Sequence, residues 1–196
     1  MGLVEYLTKL TRLKNGSFRA ERNTERYNYY EKYLIEYNYK NIEVQVETFI
    51  QGLPQTVPVS LERYIEIVYV FKTAIPIFFT IQERTPLDSM KSLFISSIKL
   101  HDGEFNKRFI LRGTPQPSIK AIFNTDAVRK IMLIDEGVIG RLAVSRNSPA
   151  SILTFRLCYI PTSMQHILTF IEFSEYLLDR VIISSTEKII DIDRQT

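Results

Sequence analysis

The sequence predicts an α+β fold with mainly antiparallel sheets in two β-rich halves, helices packed on the sheets, and a C-terminal amphipathic helix. Three observations predict it. Apolar and polar residues alternate with period two in the stretch from Phe18 to Glu83, the pattern of a sheet with one wet face. Short apolar runs separated by turn residues recur after residue 97. From Met164 onward, apolar residues follow helical spacing instead. The 196 residues fit one domain, 1–196, with room for two subdomains split near 84–97.

Residues 1–14 read as a short helix with Leu3, Leu7, Leu10 and Leu13 on one side and Lys9, Arg12 and Lys14 off it; Asn15-Gly16 stops it. Such a segment either docks on its own domain or lies at a membrane surface. Gly2 is no myristoylation signal, because position 6 is Tyr6. Tyr33, Ile35, Tyr37 and Tyr39 alternate with polar neighbours, as do Ile42, Val44 and Val46, and Asn38–Asn41 makes the two runs a hairpin. Ile65, Ile67 and Tyr69 repeat the pattern, after a loop marked by Gly52, Pro54 and Pro58. The run Ile75–Ile81 reads as a buried strand with Pro76 at its start. Tyr27, Tyr29, Tyr30, Tyr33, Tyr37 and Tyr39 read as cross-strand pairs with their hydroxyls at a wet rim.

Residues 84–97 read as a linker, then Ile98–Leu100 and Phe105–Leu111 as strands around the turn His101-Asp102-Gly103. Pro115 and Pro117 open two short helices, the first bearing Ile119, Ile122 and Phe123 and the second Ala127, Val128, Ile131 and Met132; Asn124 caps the second and Gly137 ends it. Val138–Val144 and Ile152–Ile160 are further strands, joined by the turn Asn147-Ser148-Pro149. The last helix covers Thr162 to about Ile183, with Thr162 and Gln165 as a capping box and Met164, Ile167, Leu168, Ile171, Leu178, Val181 and Ile182 as its core stripe. The competing view docks that stripe on a partner helix.

The residues available for chemistry are few. His101 and His166 are the only histidines, and no spacing resembles a zinc site; neither metal nor cofactor is expected. The chain has no nucleophile elbow, P-loop or dinucleotide fingerprint. The acid pairs Asp102 with Glu104 and Asp135 with Glu136, like Asp191 and Asp193, sit where carboxylates serve capping and solubility. Cys158, the single cysteine, falls in an apolar run and reads as a small buried hydrophobe, which together with the absence of a signal peptide favours a reducing, cytoplasmic setting. A net charge of +3 is too mild for a nucleic-acid binder. Arg108, Arg112, Arg129, Lys130 and Arg141 are the candidates for a basic surface patch if the fold brings them together.

One segment, Ile98-Lys-Leu-His-Asp-Gly-Glu-Phe-Asn-Lys-Arg-Phe-Ile-Leu-Arg-Gly113, resembles the central signature of a family of uncharacterised bacterial domains of unknown function. The looser likeness runs from about Gly16 to Leu178. The resemblance implies an α+β module often tethered near the inner face of a bacterial membrane, and it brings no catalytic residues. Physically, Phe105 and Phe109 serve as core anchors, Lys107 and Arg108 take the outer face, and Gly113 frees the backbone to leave its strand. The expected function is a non-enzymatic binding or assembly module that contacts an unknown protein partner or a second copy of itself. The alternative is a membrane-peripheral protein held by Leu3, Leu7 and Leu10 with Lys9, Arg12 and Lys14. The third reading is a hydrolase or transferase whose site includes His101 or Asp102.

Overall fold

The computed structural model of the protein describes residues 2–25, 28–52, 62–86, 88, 97–134, 137–145, 149–161 and 163–193. Tyr27, Pro54, Pro58, Asp135, Glu136, Asn147, Thr162 and most of 84–97 lie outside them, so the readings made on those residues do too. The strands are β1 (Ser17–Glu25), β2 (Asn28–Tyr39), β3 (Ile42–Gly52), β4 (Arg63–Val70), β5 (Phe78–Glu83), β6 (Phe109–Thr114), β7 (Val138–Val144) and β8 (Ser151–Leu157). They form one antiparallel sheet in the order β1-β2-β3-β4-β8-β7-β5-β6. The two β-rich stretches are therefore two halves of a single sheet, joined where β4 pairs with β8. The chain passes from one half to the other between β4 and β5, at residues 71–77, ahead of the 84–97 segment.

Period-two alternation decides which side chains meet the core. The register places Phe18, Ile35, Val46, Ile67, Phe155, Gly140, Ile81 and Leu111 in one row across all eight strands. All but Phe18 and the glycine are buried core side chains. Gly140 is required there: a Cβ would lie 2.7 Å from the Phe155 ring and 2.8 Å from Ile81 Cγ2. At the β2–β3 turn, Lys40 and Asn41 both have positive φ (50° and 65°), matching the hairpin predicted at Asn38–Asn41.

The helices are α1 (Leu3–Leu13), α2 (Gly103–Arg108), α3 (Gln116–Ile122), α4 (Thr125–Met132) and α5 (Met164–Asp193). α5 buries Ile167, Ile171, Leu178 and Val181 of the expected stripe together with Phe170, Phe173 and Leu177, while Met164, Leu168 and Ile182 are only partly buried against the same core. It runs ten residues, nearly three turns, past the expected end near Ile183, and within that stretch Ser185 and Thr186 return their hydroxyls to the carbonyls of Val181 and Ile182. α3 and α4 pack on α5, and Asn124 caps α4 by accepting from the Ala127 N–H at 3.0 Å.

α1 ends in a Schellman motif: Asn15, at φ 51°, donates to Arg12 O, and the Gly16 N–H donates to Thr11 O. Leu7 and Leu10 are buried in the core, leaving Val4 and Leu13 as its exposed apolar residues. Lys14 then reaches α5, bonding both Glu175 carboxylate oxygens at 2.7 and 2.8 Å, while the Tyr37 hydroxyl donates to the same group at 3.0 Å. Tyr69 meets Ser174 at 2.6 Å. The Tyr37 hydroxyl, expected at a wet rim, is thus buried under α5, as is that of Tyr69, and burial pushes both phenols well above their ordinary pKa. No helix among the described residues is long and apolar enough to cross a membrane.

Three local expectations are corrected. Gly103–Arg108 is a helix, because Asp102 accepts from the Phe105 N–H at 2.8 Å and nucleates a turn where strand was expected. Ile98 still bonds Leu111 O along the outer edge of β6, but 98–100 is no strand. Gly137 does not end α4, which stops at Met132; its φ of 76° turns the chain into β7. Phe105 and Phe109 are both buried with ring centroids 5.2 Å apart, as the anchor role requires.

At the far end of β2, Glu31 accepts from Tyr29 at 2.6 Å and Tyr33 at 2.7 Å and pairs with Arg22 at 2.7 Å. The two phenolic hydrogen bonds, then the guanidinium, hold its carboxyl below the usual carboxylate range. A depressed pKa stabilises the fold above the unfolded value of about 4.3, and that contribution is lost as pH falls through the lower native value. Glu31→Gln is therefore expected to melt below wild type at neutral pH, with the gap closing toward about pH 3. Thermal melts of the pair across that range check it, and a gap constant with pH refutes the role given to this carboxylate.

Candidate functional site

The five helices described above lie against one face of the sheet, and among the described residues no helix covers the side chains of the other face. That open face consists of the alternate residues in each strand, mostly half-buried by their neighbours or exposed. Its central row reads Ser17, Glu36, Gln45, Val68, Thr154, Arg141, Thr80 and Arg112 from β1 to β6. The row on one side contains Arg19, Leu34, Glu47, Glu66, Arg156, Ile139, Gln82 and Ile110. Ile139 and Phe78 are 45% and 40% exposed, large values for apolar side chains on a sheet. Ile110, at the β6 edge, is buried.

Across the first half of this face runs a diagonal stack. The Tyr30 and Phe49 rings lie 5.9 Å apart, Phe49 and Tyr64 5.4 Å, and the Arg156 guanidinium sits 4.1 Å from the Tyr64 centroid. Tyr64 donates to Glu47 at 2.7 Å, and Glu47 also pairs with Lys32 at 2.7 Å. Burial and the Glu47 carboxylate raise the Tyr64 phenol above its ordinary pKa, so it stays a neutral donor. These contacts link β2, β3, β4 and β8 on the side away from the helices and stiffen the surface.

Charge on the open face is segregated. Strands β1 to β4 present Glu21, Glu36, Glu43, Glu47 and Glu66 against Arg19 and Lys32, both of which are already paired, with Glu36 and Glu47. Strands β5 to β8 present Arg112, Arg141 and Arg156 and no carboxylate. Arg156 bonds Glu66 at 2.9 Å across the seam between halves. Arg112 and Arg141 have no acidic partner among the described residues. The face is thus acidic at one side and basic at the other.

The expected basic patch is only partly assembled. Arg112 and Arg141 flank Thr80 in one row, two strands or about 10 Å apart. Arg108 is turned away from it and bonds Glu83 at 2.6 Å and the Ile134 carbonyl at 2.6 Å. Arg129 and Lys130 belong to α4 in the helical layer, where Lys130 lies over the Tyr176 ring and Arg129 faces Asp126. Arg156 takes the place of these three, and strand parity could have found it, since it shares a face with Ile152 and Thr154 and alternates with the buried Leu153, Phe155 and Leu157. The same parity corrects Cys158, which follows Arg156 by two residues and is exposed rather than buried. Partial burial nonetheless raises its thiol pKa against the pull of Arg156, so it is no activated nucleophile.

His166 is exposed in the first turn of α5, and His101 is exposed just before α2, far from it in sequence. Among the described residues no group of three or more His, Cys, Asp or Glu side chains is placed to hold a metal ion. No family model matches this chain, and no curated protein or solved structure matches it either, so the open face is interpreted from its own chemistry.

Proposed function

We propose that the protein is a non-enzymatic assembly module that pairs with a second copy of itself through the open faces of the two sheets. The observation that supports this is the segregation of charge on that face. A two-fold axis parallel to the strands, over the β4–β8 seam, sets β8 over β4 and β7 over β3, so the acidic side of each copy meets the basic side of the other. Arg141 then faces the stretch of β3 that holds Glu43 and Glu47, and every contact occurs twice, as closed two-fold pairs require. Aligned packing of two sheets needs no change in either. Eight strands at about 4.8 Å and about 20 Å of strand length offer roughly 750 Å² per copy, close to the roughly 800 Å² per partner of stable interfaces.

Sedimentation analysis over a range of concentrations tests the reading. Wild type is expected to dimerise, less so at high salt, because exposed charges are screened beyond about 10 Å at 0.1 M ionic strength. Arg141→Glu and Glu43→Lys, both at exposed positions, are each expected to sediment as monomers, and their mixture to restore a dimer. A wild type that stays monomeric at high concentration, or a mixture no tighter than either variant alone, overturns the reading.

A further inference from the structure

On the helical side, away from the open sheet face, a cavity of about 620 Å³ lies between residues 99–102 and the α3–α4 turn. Its volume is in the range of roughly 300–1,000 Å³ found for small-molecule sites. The apolar part of its wall comes from Leu100, Phe123 and Val128, the last two with most of their surface already in the core. Two lysines on separate segments, Lys99 and Lys120, border the same space, and neither has an acidic partner among the described residues. Asp102 is the one carboxylate in the lining, and its Oδ1 is engaged by the Phe105 N–H.

Asn124 adds an amide to the lining. Its Oδ1 accepts from Ala127 N–H at 3.0 Å and from the Tyr176 hydroxyl at 3.1 Å, which fixes the amide orientation and leaves the Nδ2 hydrogens without a partner among the described residues. An apolar wall beside two unneutralised ammonium groups and a fixed amide donor suits one class of molecule. We infer that this cavity binds a small organic anion, its apolar body against Leu100, Phe123 and Val128 and its anionic head between Lys99 and Lys120. The site is independent of the dimer, since none of its residues belongs to the open face.

Two probes with one shape separate charge recognition from simple apolar filling: naphthalene-2-sulfonate and its neutral analogue naphthalene-2-sulfonamide, titrated by fluorescence into the full chain. The sulfonate is expected to bind about tenfold more tightly than the sulfonamide. The double variant Lys99→Met/Lys120→Met, at exposed positions, should remove that preference while leaving sulfonamide binding unchanged. Ala121→Trp, which fills the cavity from an exposed position, should weaken both probes. The inference is overturned if the sulfonate does not bind, if the two probes bind equally to wild type, or if the lysine variant keeps the preference.

Discussion

Gly113→Ala is expected to destabilise the protein by about 3–5 kcal/mol, from backbone strain and a steric clash together. Gly113 sits in β6 opposite Phe79 with φ at 149°, a backbone conformation L side chains rarely adopt. A Cβ there would stand 2.1 Å from the Phe78 carbonyl oxygen and 2.6 Å from Ile119 Cδ1. The first contact is with backbone of the paired strand, so relief requires β5 and β6 to separate, and β5 is also the partner of β7. Gly103→Ala is the control: nothing lies within 4 Å of its Cβ position, and alanine in a helix gains up to about 1 kcal/mol over glycine. Urea unfolding of the two variants beside wild type decides it. If Gly113→Ala unfolds within about 0.5 kcal/mol of wild type, the register of β5 against β6 is wrong.

Ile171→Ala is expected to cost about 2–5 kcal/mol, a substantial part of the roughly 5–15 kcal/mol that holds a domain together. The side chain is 1% exposed, within a cluster that includes Phe170, Phe173 and sheet residues. Its truncation leaves a void that the flanking aromatics, fixed by their own packing, fill only in part. Glu172, the next residue, is exposed, and its replacement is expected to change stability by under about 0.5 kcal/mol. Denaturant melts of the two variants measure the contrast. Equal midpoints would mean that the apolar stripe of α5 is not core in solution and would revive the view that it docks a partner.

Much of this fold is legible in the sequence because its signals are local. Strand alternation in Tyr33–Tyr39, Ile42–Val46 and Ile65–Tyr69 follows from a sheet covered on one face only, and the α5 stripe follows from a helix lying on that sheet. The hairpin at Lys40-Asn41 and the cap at Asn124 are decided within a few residues. What the sequence hides is long-range. Nothing near β4 announces that β8 is its partner, and the register that unites Arg112 with Arg141 is fixed by β5 lying between β6 and β7. For Arg108, Arg129 and Lys130 the sequence shows charge but not side, because the packing of two helices, α2 and α4, decides where they point. The Gly103–Arg108 helix was masked by Phe105 and Phe109, whose spacing of four suits a helix but whose surroundings read as strand. The cavity beside Lys99 and Lys120 is formed by segments that only the tertiary fold brings together.

The joining of β4 to β8 also sets a timetable for synthesis. β1 to β4 form a meander of neighbours and need nothing downstream to pair, whereas the second edge of β4 is completed by residues such as Arg156, 90 positions after Glu66. At about 5–20 residues per second, translation leaves that edge uncovered for roughly 4–18 s. The strand so exposed contains Ile65, Ile67, Val68 and Tyr69, and an open apolar edge is a template for pairing with other chains. The cover for its inner face arrives later still, with Ser174 of α5 meeting the Tyr69 hydroxyl. A nascent chain halted before Ser151 therefore displays an unpaired apolar edge, an exposure that a sheet whose neighbours follow one another in sequence does not undergo.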